Sequence, residues 1–391
     1  MNVVGIIAEY NPFHNGHKLQ LDYAKNVLKA DIIVVAMSGS FTQRGTIACS
    51  NKYNRAHMAL LNGADIVLEI PTIFATASAK EYASASVKLI NSLGVVDTLL
   101  FGSETDDVNL IIEGAKNVIA YEGCQEYEDI IHSYVSKGLS YPAARQMALE
   151  GVIDPNLINT PNNILAFEYT KYILENNLPL KIASIKRQGN SYNCNTLSGA
   201  LSSATSIREG LIKGIDVREA MPQNAHEILQ NNTVIHEDDI SILLHHKLLS
   251  EDDFSIYEDC SIDLSNKINK YKHSFITFSN FCSKIKSKDL SYARISRTLC
   301  HILLGITEKE FEEAKKNGYI SYIRLLGFTK NGATLLGTIK EQSSLEIYTS
   351  GNNALSKYDI ISSDIYRIIE TNKTKTSLPN EFTRKFELTN L

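Results

Sequence analysis

The sequence predicts an α/β fold, a doubly wound parallel sheet followed by a helical C-terminal domain. Five short apolar runs read as strands, and stretches with helical spacing separate them along the first half of the chain. This alternation of strands and helices favours a parallel sheet with right-handed crossovers. The predicted strands are Val3 to Ala8, Asp31 to Met37, Asp65 to Ile70, Val96 to Phe101 and Leu180 to Ile185.

Helices are predicted between these strands wherever apolar residues recur at three- and four-residue spacing. The pattern indicates helices over Ser50 to Leu61, Glu81 to Leu93 and Ile164 to Leu174. Residues 108–150 form a longer stretch than a single crossover needs, so we expect a helical insertion there. Residues 1–215 therefore form one predicted α/β domain.

The second half of the chain is predicted to be a separate, mainly helical domain over residues 216–391. Beyond about Asp216 we expect no further strands. Helical patterns cover Ile240 to Leu249, Ile262 to Phe281, Leu290 to Leu304 and Glu308 to Lys316.

Composition limits the class of protein. The 391 residues suffice for two or three domains, and 43% hydrophobic and 21% charged residues are ordinary for a globular chain. No segment reaches the apolar length that spans a membrane, and the chain enters its first strand without a basic leader, so we expect no membrane and no secretory signal. The six cysteines form no C-x-x-C pair, which favours reduced thiols in the cytoplasm.

The most informative segment is the loop between the first strand and its helix, which contains His14, Gly16 and His17. In a doubly wound sheet ligands bind at this edge, and the following helix offers free N–H groups that suit a phosphate. Gly16 allows close approach of a ligand, and imidazoles donate hydrogen bonds to phosphoryl oxygens. A zinc site is the alternative for a H-x-x-H pair, but no third ligand follows at suitable spacing, and the histidines could also be plain loop residues.

Other strand ends carry polar or glycine residues that extend this site. Arg44 follows the second strand and either holds an anion or is a solvated loop arginine. Gly102 ends the fourth strand, where it leaves room for an adenine or ribose. Asn162 opens a helix, as a cap or as a group that reads the polar edge of a nucleotide. Arg187, followed by Gln188, places a guanidinium after the fifth strand.

A Ser/Thr-rich segment opens a further helix and forms a second predicted anion site. Ser202 to Arg208 combines hydroxyls and free N–H groups with a guanidinium one turn into the helix. Such a cap is common by itself, but it becomes more specific as a partner of the histidine loop.

A basic window over residues 266–330 contrasts with the net charge of −5 of the whole chain. It holds 13 basic and 5 acidic residues, a balance of +8, with tyrosines and phenylalanines among them. Basic groups track RNA phosphates and exposed rings stack on bases, although a solvated lysine face over an aromatic core is the alternative. The candidate RNA contacts are Lys284, Lys286, Lys288, Arg294 and Arg297.

The acidic cluster His236 to Asp239 resembles a metal site. It also precedes a predicted helix, and the positive end of the helix dipole stabilises acidic residues at that position. We interpret it as a helix start and predict no protein metal site.

Several of these segments resemble the nucleotidylyltransferase superfamily. His14 to His17 is similar to its HxGH motif, and Ser203 to Arg208 to its S-x-T-x-I-R motif. More closely, the chain resembles the bacterial tRNA(Met) cytidine acetate ligase family over nearly its whole length. The matching stretches are Gly5 to His17, Phe41 to Gly45, Gly63 to Pro71, Phe101 to Glu104, Pro161 to Leu165 and Tyr322 to Gly327.

This resemblance implies the HUP-type nucleotidylyltransferase fold, a catalytic nucleotide-binding domain over residues 1–215 and a tRNA-binding domain over residues 216–391. The implied activity is acetylation of the exocyclic amine of the wobble cytidine in elongator tRNA(Met), from acetate and ATP. We hypothesise that the reaction runs through acetyl-adenylate, with Mg²⁺ assisting. His14, His17 and Arg208 would stabilise the phosphates. The implied ATP site comprises Ile7, Ala8, Glu9, Tyr10, Asn11, Pro12, Phe13, His14, Asn15, Gly16, His17, Gly102, Asn162 and Arg187.

Two other functions remain open at this point. One is an adenylyltransferase acting on a small phosphorylated substrate, and the other is an RNA-binding protein regulated by nucleotide. A DNA partner is not expected. The sequence leaves undetermined the base for the amine, the acetate pocket, the basic residues that touch tRNA and the oligomeric state.

Overall fold

The structure is a computed structural model that describes residues 1–105, 107–137, 139, 141–187, 199–288, 290–351 and 354–384, without the side chains of residues 141 and 142. Gln188, which follows Arg187 in the predicted site, and Cys194 lie outside the described residues.

A single sheet organises the chain, and within the described residues it has seven strands. Its order is β5-β4-β1-β2-β3-β6-β7. The first five strands all run parallel to their neighbours, which confirms the predicted α/β fold. The strands are β1 (Val3–Ala8), β2 (Ile32–Ser38), β3 (Ile66–Ile70), β4 (Thr98–Ser103), β5 (Lys181–Lys186), β6 (Ile323–Phe328) and β7 (Ile347–Tyr348).

The expectation that strands stop beyond about Asp216 is wrong. β6 pairs antiparallel with β3, and β7 pairs parallel with β6. The chain thus returns to the sheet after its helical stretch and covers the edge of β3, which would otherwise expose unpaired backbone groups.

Helices flank the sheet on both faces and make up most of the second half of the described chain. Three short 3-10 turns accompany them, at Arg218–Ala220, Glu237–Ile240 and Lys272–Ser274. The α-helices are α1 (Asn15–Asn26), α2 (Lys52–Leu61), α3 (Thr72–Ala75), α4 (Ala79–Ser92), α5 (Val108–Glu122), α6 (Gln125–Ser136), α7 (Tyr141–Ala148), α8 (Asn156–Asn159), α9 (Pro161–Glu175), α10 (Ala204–Ile212), α11 (Gln223–Gln230), α12 (Ser241–Leu249), α13 (Ile262–Tyr271), α14 (Phe278–Ile285), α15 (Tyr292–Leu304), α16 (Glu308–Lys316), α17 (Lys330–Gln342) and α18 (Lys357–Thr374).

Polar caps explain where several helices begin. The side chains of Asn51, Ser78 and Ser291 accept hydrogen bonds from backbone N–H groups in the first turns of α2, α4 and α15. A cap also corrects one prediction, the continuous helix over Ile262 to Phe281. The chain leaves the helix after Tyr271, and the hydroxyl of Thr277 caps a new helix, α14.

The apolar core lies on both faces of the sheet. Along β2 the residues alternate between the two faces, so Ile33 and Val35 pack with one set of helices, which includes α1 and α2, and Val34 with the other. On that second face α4 comes very close, because a methyl group on Gly5 would lie 2.9 Å from Cγ2 of Ile90. The doubly wound arrangement thus buries the central strands β1, β2 and β3 on both sides.

A buried charge cluster joins the C-terminal segment to the sheet. Nζ of Lys52 lies 2.8 Å from both carboxylate oxygens of Glu69 and 3.3 Å from Glu381. Arg324 on β6 donates to Glu381 over 2.9 Å. All four side chains are at most 6% exposed, so each charge depends on its partner inside the protein.

The described cysteines, Cys49, Cys124, Cys260, Cys282 and Cys300, form no disulfide, as the sequence predicts. Among the described helices, none has the length and apolar character needed to cross a membrane.

Candidate functional site

The candidate site lies where the strand order reverses in the sheet. β1 sits between β2 and β4, and the chain leaves β1 and β4 toward helices on opposite faces. In doubly wound sheets this reversal opens a crevice outside the carboxyl ends of the strands. The histidine loop follows β1 and Gly102 lies near the end of β4, so both line this crevice.

His14 and His17 cap the helix that begins in this loop. Nδ1 of His14 accepts from the Gly16 N–H over 3.0 Å, and Nδ1 of His17 accepts from the His14 N–H over 3.2 Å. Because both Nδ1 atoms accept, the ring protons reside on the Nε2 atoms. The two rings stack, with centroids 3.6 Å apart. The loop therefore presents two adjacent Nε2–H donors at a helix N-terminus.

Burial keeps both imidazoles neutral. It lowers the pKa of His14 to about 3, with smaller contributions from Arg187 and Arg208. Burial also holds the pKa of His17 well below its usual value, and His14 and Arg187 add to this effect. Neutral Nε2–H groups beside two guanidinium groups suit an anion, since the positive charge comes from the arginines and the imidazoles contribute directed hydrogen bonds.

The space that Gly16 provides is used by the protein itself. A methyl group on Gly16 would lie 2.9 Å from Cε1 of His14. The glycine therefore makes room for the imidazole that caps the helix.

The aromatic residues of the loop pack against the histidine rings. Tyr10 and Phe13 are fully buried, and the ring centroid of Tyr10 lies 4.7 Å from that of His17. Pro12 is buried next to Phe13, and Ile7 is 9% exposed at the end of β1. These side chains hold the shape of the loop, whereas Ala8 and Glu9 are half-buried.

Two asparagines connect the loop to other segments. Oδ1 of Asn11 accepts from the Cys49 N–H over 2.8 Å. Nδ2 of Asn15 donates to the carbonyls of Ala200 and Glu219 over 2.9 and 2.8 Å. Asn15 thus ties the start of α1 to the segments that flank α10.

Arg208 lies against the histidine loop. Ser203 caps α10 by accepting from the Ser206 N–H over 3.1 Å, and Arg208 follows one turn later. Its Nη1 donates to the carbonyl of Asn11 over 2.6 Å, and Nη2 donates to Thr205 Oγ1 over 3.3 Å. The structure therefore brings together the two segments that the sequence links to anion binding.

Gly102, Asn162 and Arg187 meet at the end of β4. Nη1 of Arg187 donates to Oδ1 of Asn162 over 2.8 Å. A methyl group on Gly102 would lie 3.3 Å from Cγ of Arg187, so the arginine stem passes over the glycine. Arg44 lies half-buried in the loop after β2, where the neighbouring Gln43 N–H donates to Glu9 over 2.9 Å.

Sequence reasoning missed Arg55, a fully buried residue that shapes this edge. Its guanidinium donates to the carbonyls of Ser50, Glu9, Ser38 and Gly39. It thereby joins the loops after β1 and β2. Two charged residues, Lys52 and Arg55, on the buried face of a predicted helix were the signal available for it.

The five candidate RNA contacts differ in their surroundings. Lys284, Lys286 and Lys288 are exposed, and Lys284 donates to Ser274 Oγ over 2.7 Å. Arg294 and Arg297 instead face one carboxylate, Asp259. Arg297 donates to it over 2.8 Å with a side chain 14% exposed, and Nε of Arg294 lies 3.5 Å from it.

The acidic cluster at residues 236–239 has a structural role, as the sequence predicts. Asp239 accepts from the His236 N–H over 2.7 Å, and Asp238 accepts from the Ser279 N–H over 2.7 Å. In the part of the chain that the structure describes, no group of three or more His, Cys, Asp or Glu side chains could hold a metal ion.

Comparison with known proteins places these features in a family. The model of the HIGH Nucleotidyl Transferase family matches residues 1–381. A protein of Clostridium tetani named tRNA(Met) cytidine acetate ligase is 35% identical over 364 residues, covering 89% of this chain and 90% of its own length. One of the same name from Thermosipho africanus is 36% identical, covering 90% of this chain and 85% of its own length.

Solved structures agree with this assignment. The crystal structure of apo Thermotoga maritima TmcAL has a TM-score of 0.92 at 28% identity, and that of the same protein bound with alpha-thio ATP has 0.90 at 27%. Both matches cover 100% of each chain. The resemblance inferred from the motifs is thereby confirmed, and this chain belongs to the tRNA(Met) cytidine acetate ligase family of HIGH nucleotidyl transferases.

Proposed function

We propose that this protein is an ATP-dependent ligase that acetylates the exocyclic amine of the wobble cytidine of elongator tRNA(Met), in the cytoplasm, through an acetyl-adenylate intermediate. Its substrates are ATP, acetate and tRNA. The observation that carries the proposal is the pair of neutral imidazoles at the N-terminus of α1, flanked by Arg187 and Arg208. The relatives' names and the bound alpha-thio ATP of the structural neighbour support it.

In the first proposed step ATP activates acetate. A carboxylate oxygen of acetate forms a bond to the α-phosphorus, the bond to the bridging oxygen breaks, and pyrophosphate leaves with that electron pair. The Nε2–H groups of His14 and His17 donate to phosphate oxygens, and Arg208 supplies positive charge. No proton needs to move in this step, which fits imidazoles whose pKa lies far below neutrality.

The loop that receives the phosphates is held in shape by Glu9, Asn11 and Asn15 and by the buried rings of Tyr10 and Phe13. In this proposal Gly102, Asn162 and Arg187, which meet at the end of β4, also bind the nucleotide.

Mg²⁺ enters in this proposal as part of the MgATP substrate. The described carboxylates at the crevice, Glu9 and Glu104, accept hydrogen bonds from protein groups, and no cluster of three ligands lies among the described side chains. Such a donor set does not fit a resident metal. Phosphate oxygens and water supply most ligands of a nucleotide-bound Mg²⁺.

In the second proposed step the acetyl group passes to RNA. The amine nitrogen of the cytidine attacks the acetyl carbonyl carbon, the carbon–oxygen bond to AMP breaks, and the nitrogen loses one proton. A stacked anticodon base does not reach a crevice at the edge of a sheet, so the base must first leave the stack. The helical part of the chain would hold the anticodon stem during this step.

The exposed lysines Lys284, Lys286 and Lys288 are the proposed phosphate contacts of this helical part. Replacing all three with alanine should weaken tRNA binding and reduce the slope of log K against log salt concentration by about 2 to 3. A matched triple variant of exposed lysines elsewhere, Lys116, Lys137 and Lys181, should leave the slope unchanged. Equal slopes for both triple variants would place the RNA surface elsewhere.

A single assay with ATP, labelled acetate and total tRNA tests the activity itself. The proposal requires that label enters RNA and that AMP and pyrophosphate appear. An adenylyltransferase would instead retain AMP in its product, and a nucleotide-regulated RNA-binding protein would release no pyrophosphate in response to acetate.

The His14→Ala variant tests the role of the histidine loop. It should abolish acetate-dependent ATP–pyrophosphate exchange while tRNA binding remains. His132→Ala, at an exposed position on α6, is the matched control and should retain full exchange. Exchange retained in the His14 variant would contradict the proposed role.

A further inference from the structure

We propose that Glu104 is a positioning residue of the nucleotide site, which fixes the orientation of Asn162 and, through it, the guanidinium of Arg187. This inference rests on the proposed function, in which Asn162 and Arg187 bind ATP. Glu104 itself needs no contact with the nucleotide.

The carboxylate of Glu104 is fixed at the N-terminus of α9. Its Oε2 accepts from the Asn163 N–H over 2.7 Å and from Thr160 Oγ1 over 3.1 Å. Its Oε1 accepts from both the backbone N–H and the side-chain Nδ2 of Asn162. In return, the Glu104 N–H donates to Oδ1 of Asn163 over 2.8 Å. The loop after β4 and the start of α9 therefore hold each other in place.

The direction of these hydrogen bonds determines how the amide of Asn162 is oriented. A carboxylate only accepts and a guanidinium only donates. An amide placed between them satisfies both only if its Nδ2 faces Glu104 and its Oδ1 faces Arg187. The structure has this orientation, with Nη1 of Arg187 2.8 Å from Oδ1.

Arg187 gains most from this arrangement because its side chain is exposed. Its backbone is fixed, since its N–H donates to the Ser103 carbonyl over 2.8 Å, but a free arginine side chain has many rotamers. The acceptor provided by Asn162 holds the guanidinium over Gly102 before a ligand arrives. Such preorganisation lowers the entropic cost of binding.

The Glu104→Gln variant reverses the direction of the hydrogen bonds that link Glu104, Asn162 and Arg187. At the Oε2 position the new amide NH₂ would face the backbone N–H of Asn163, which now donates over 2.7 Å. At the Oε1 position it would give up the longer 3.3 Å bond from the backbone N–H of Asn162 and face the Asn162 side chain, which can turn. The second position loses the weaker backbone hydrogen bond and is therefore favoured. Asn162 then turns its oxygen to the new NH₂ group and its own NH₂ to Arg187, and the guanidinium loses its acceptor. We expect about a tenfold rise in the Kd for ATP, as for one hydrogen bond to a charged group. The rate of acetate-dependent pyrophosphate release at saturating ATP should change less than about threefold, because the phosphate-binding histidines are untouched.

Two further variants distinguish a role of Glu104 in positioning Asn162 and Arg187 from a role only in capping helix α9. Thr160→Val removes another hydrogen bond to Glu104 but leaves Asn162 oriented, so ATP affinity should not change. In the double variant E104Q/N162D the glutamine NH₂ donates to one oxygen of the new carboxylate and Arg187 to the other. The double variant should therefore bind ATP more tightly than either single variant.

The experiment is equilibrium binding of ATP to the wild type, E104Q, N162D, the double variant and T160V. If E104Q and the wild type bind ATP equally well, or if the losses of the two single variants simply multiply in the double variant, the inference is wrong. If E104Q fails to fold, the double variant carries the test, because its side-chain contacts from position 104 to position 162 and from position 162 to Arg187 each join a donor to an acceptor. A wild-type protein that binds no ATP would instead overturn the proposed function.

Discussion

At Gly45 the backbone of the loop after β2 packs closely against helix α15 in the helical part of the chain. The φ of Gly45 is +72°, and a methyl group there would lie 2.5 Å from both N and Cα of Arg297 on α15. Ser296 also donates to the Gly45 carbonyl over 3.3 Å. Carbon atoms in contact normally lie about 3.5 to 4.0 Å apart, so in Gly45→Ala either α15 or the loop must move by about 1 Å.

The expected loss of stability has two parts. A left-handed backbone conformation costs about 1 to 2 kcal/mol for a residue with Cβ. Overpacking against backbone adds about 1 to 3 kcal/mol, so Gly45→Ala should lower the free energy of unfolding by about 2 to 5 kcal/mol. Gly305, which follows the last residue of α15, is the matched control. Its φ is +74° and nothing lies within 4 Å of its Cβ position, so Gly305→Ala should cost only the backbone part.

Urea unfolding with linear extrapolation measures both variants under the same conditions. The reasoning requires a clearly larger loss for Gly45→Ala than for Gly305→Ala. Equal losses would show that α15 yields without cost and that the contact at Gly45 does not hold the two parts of the chain together.

Two further predictions concern buried charge. Because burial lowers the pKa of His14 from 6.5 to about 3, the unfolded state binds a proton between these values that the folded state does not. The free energy of unfolding should therefore fall as pH decreases below 6.5. The His14→Asn variant, which keeps a capping oxygen, should reduce the slope of this free energy against pH by up to about 1.4 kcal/mol per pH unit. Equal slopes for the variant and the wild type in pH-dependent urea unfolding would contradict this. Lys52→Met should lower the free energy of unfolding by about 3 to 5 kcal/mol in the same assay, because it removes a buried cation beside Glu69. Lys116→Met, at an exposed ion pair, should lower it by less than about 1 kcal/mol. Similar losses for the two variants would show that burial of the ion pair does not matter.

Strands β1, β2 and β3 were predictable because they are buried on both faces. Continuous apolar runs such as Val3 to Ala8 stand out against amphipathic helices, and each is followed by turn or cap residues. β6 was missed although its pattern is apolar. Arg324 interrupts it, and the carboxylate that neutralises this charge, Glu381, lies 57 residues later. Local patterns do not show such a pairing.

The candidate site was predictable to the extent that it follows from strand ends. His14, Gly102 and Arg187 each follow a strand or end one, and the carboxyl ends of parallel strands meet at one edge. The structure adds the network that orients these groups. The contacts of Arg55 and Glu104 depend on backbone carbonyls and N–H groups, whose positions emerge only when the loops are folded.

The place of the helical stretch in the topology bears on how RNA would reach the nucleotide. Residues 216–322 leave the sheet after β5 and return to it at β6, so both ends of this stretch are attached to one rigid sheet. A module joined by a single linker would move freely relative to the crevice. Here the pairing of β3 with β6 returns the chain to the sheet, and the contact between Gly45 and Arg297 holds α15 against the loop after β2. The proposed transfer of the acetyl group from the adenylate to RNA needs this, because the reacting amine and the acetyl carbonyl carbon must be held within bonding distance.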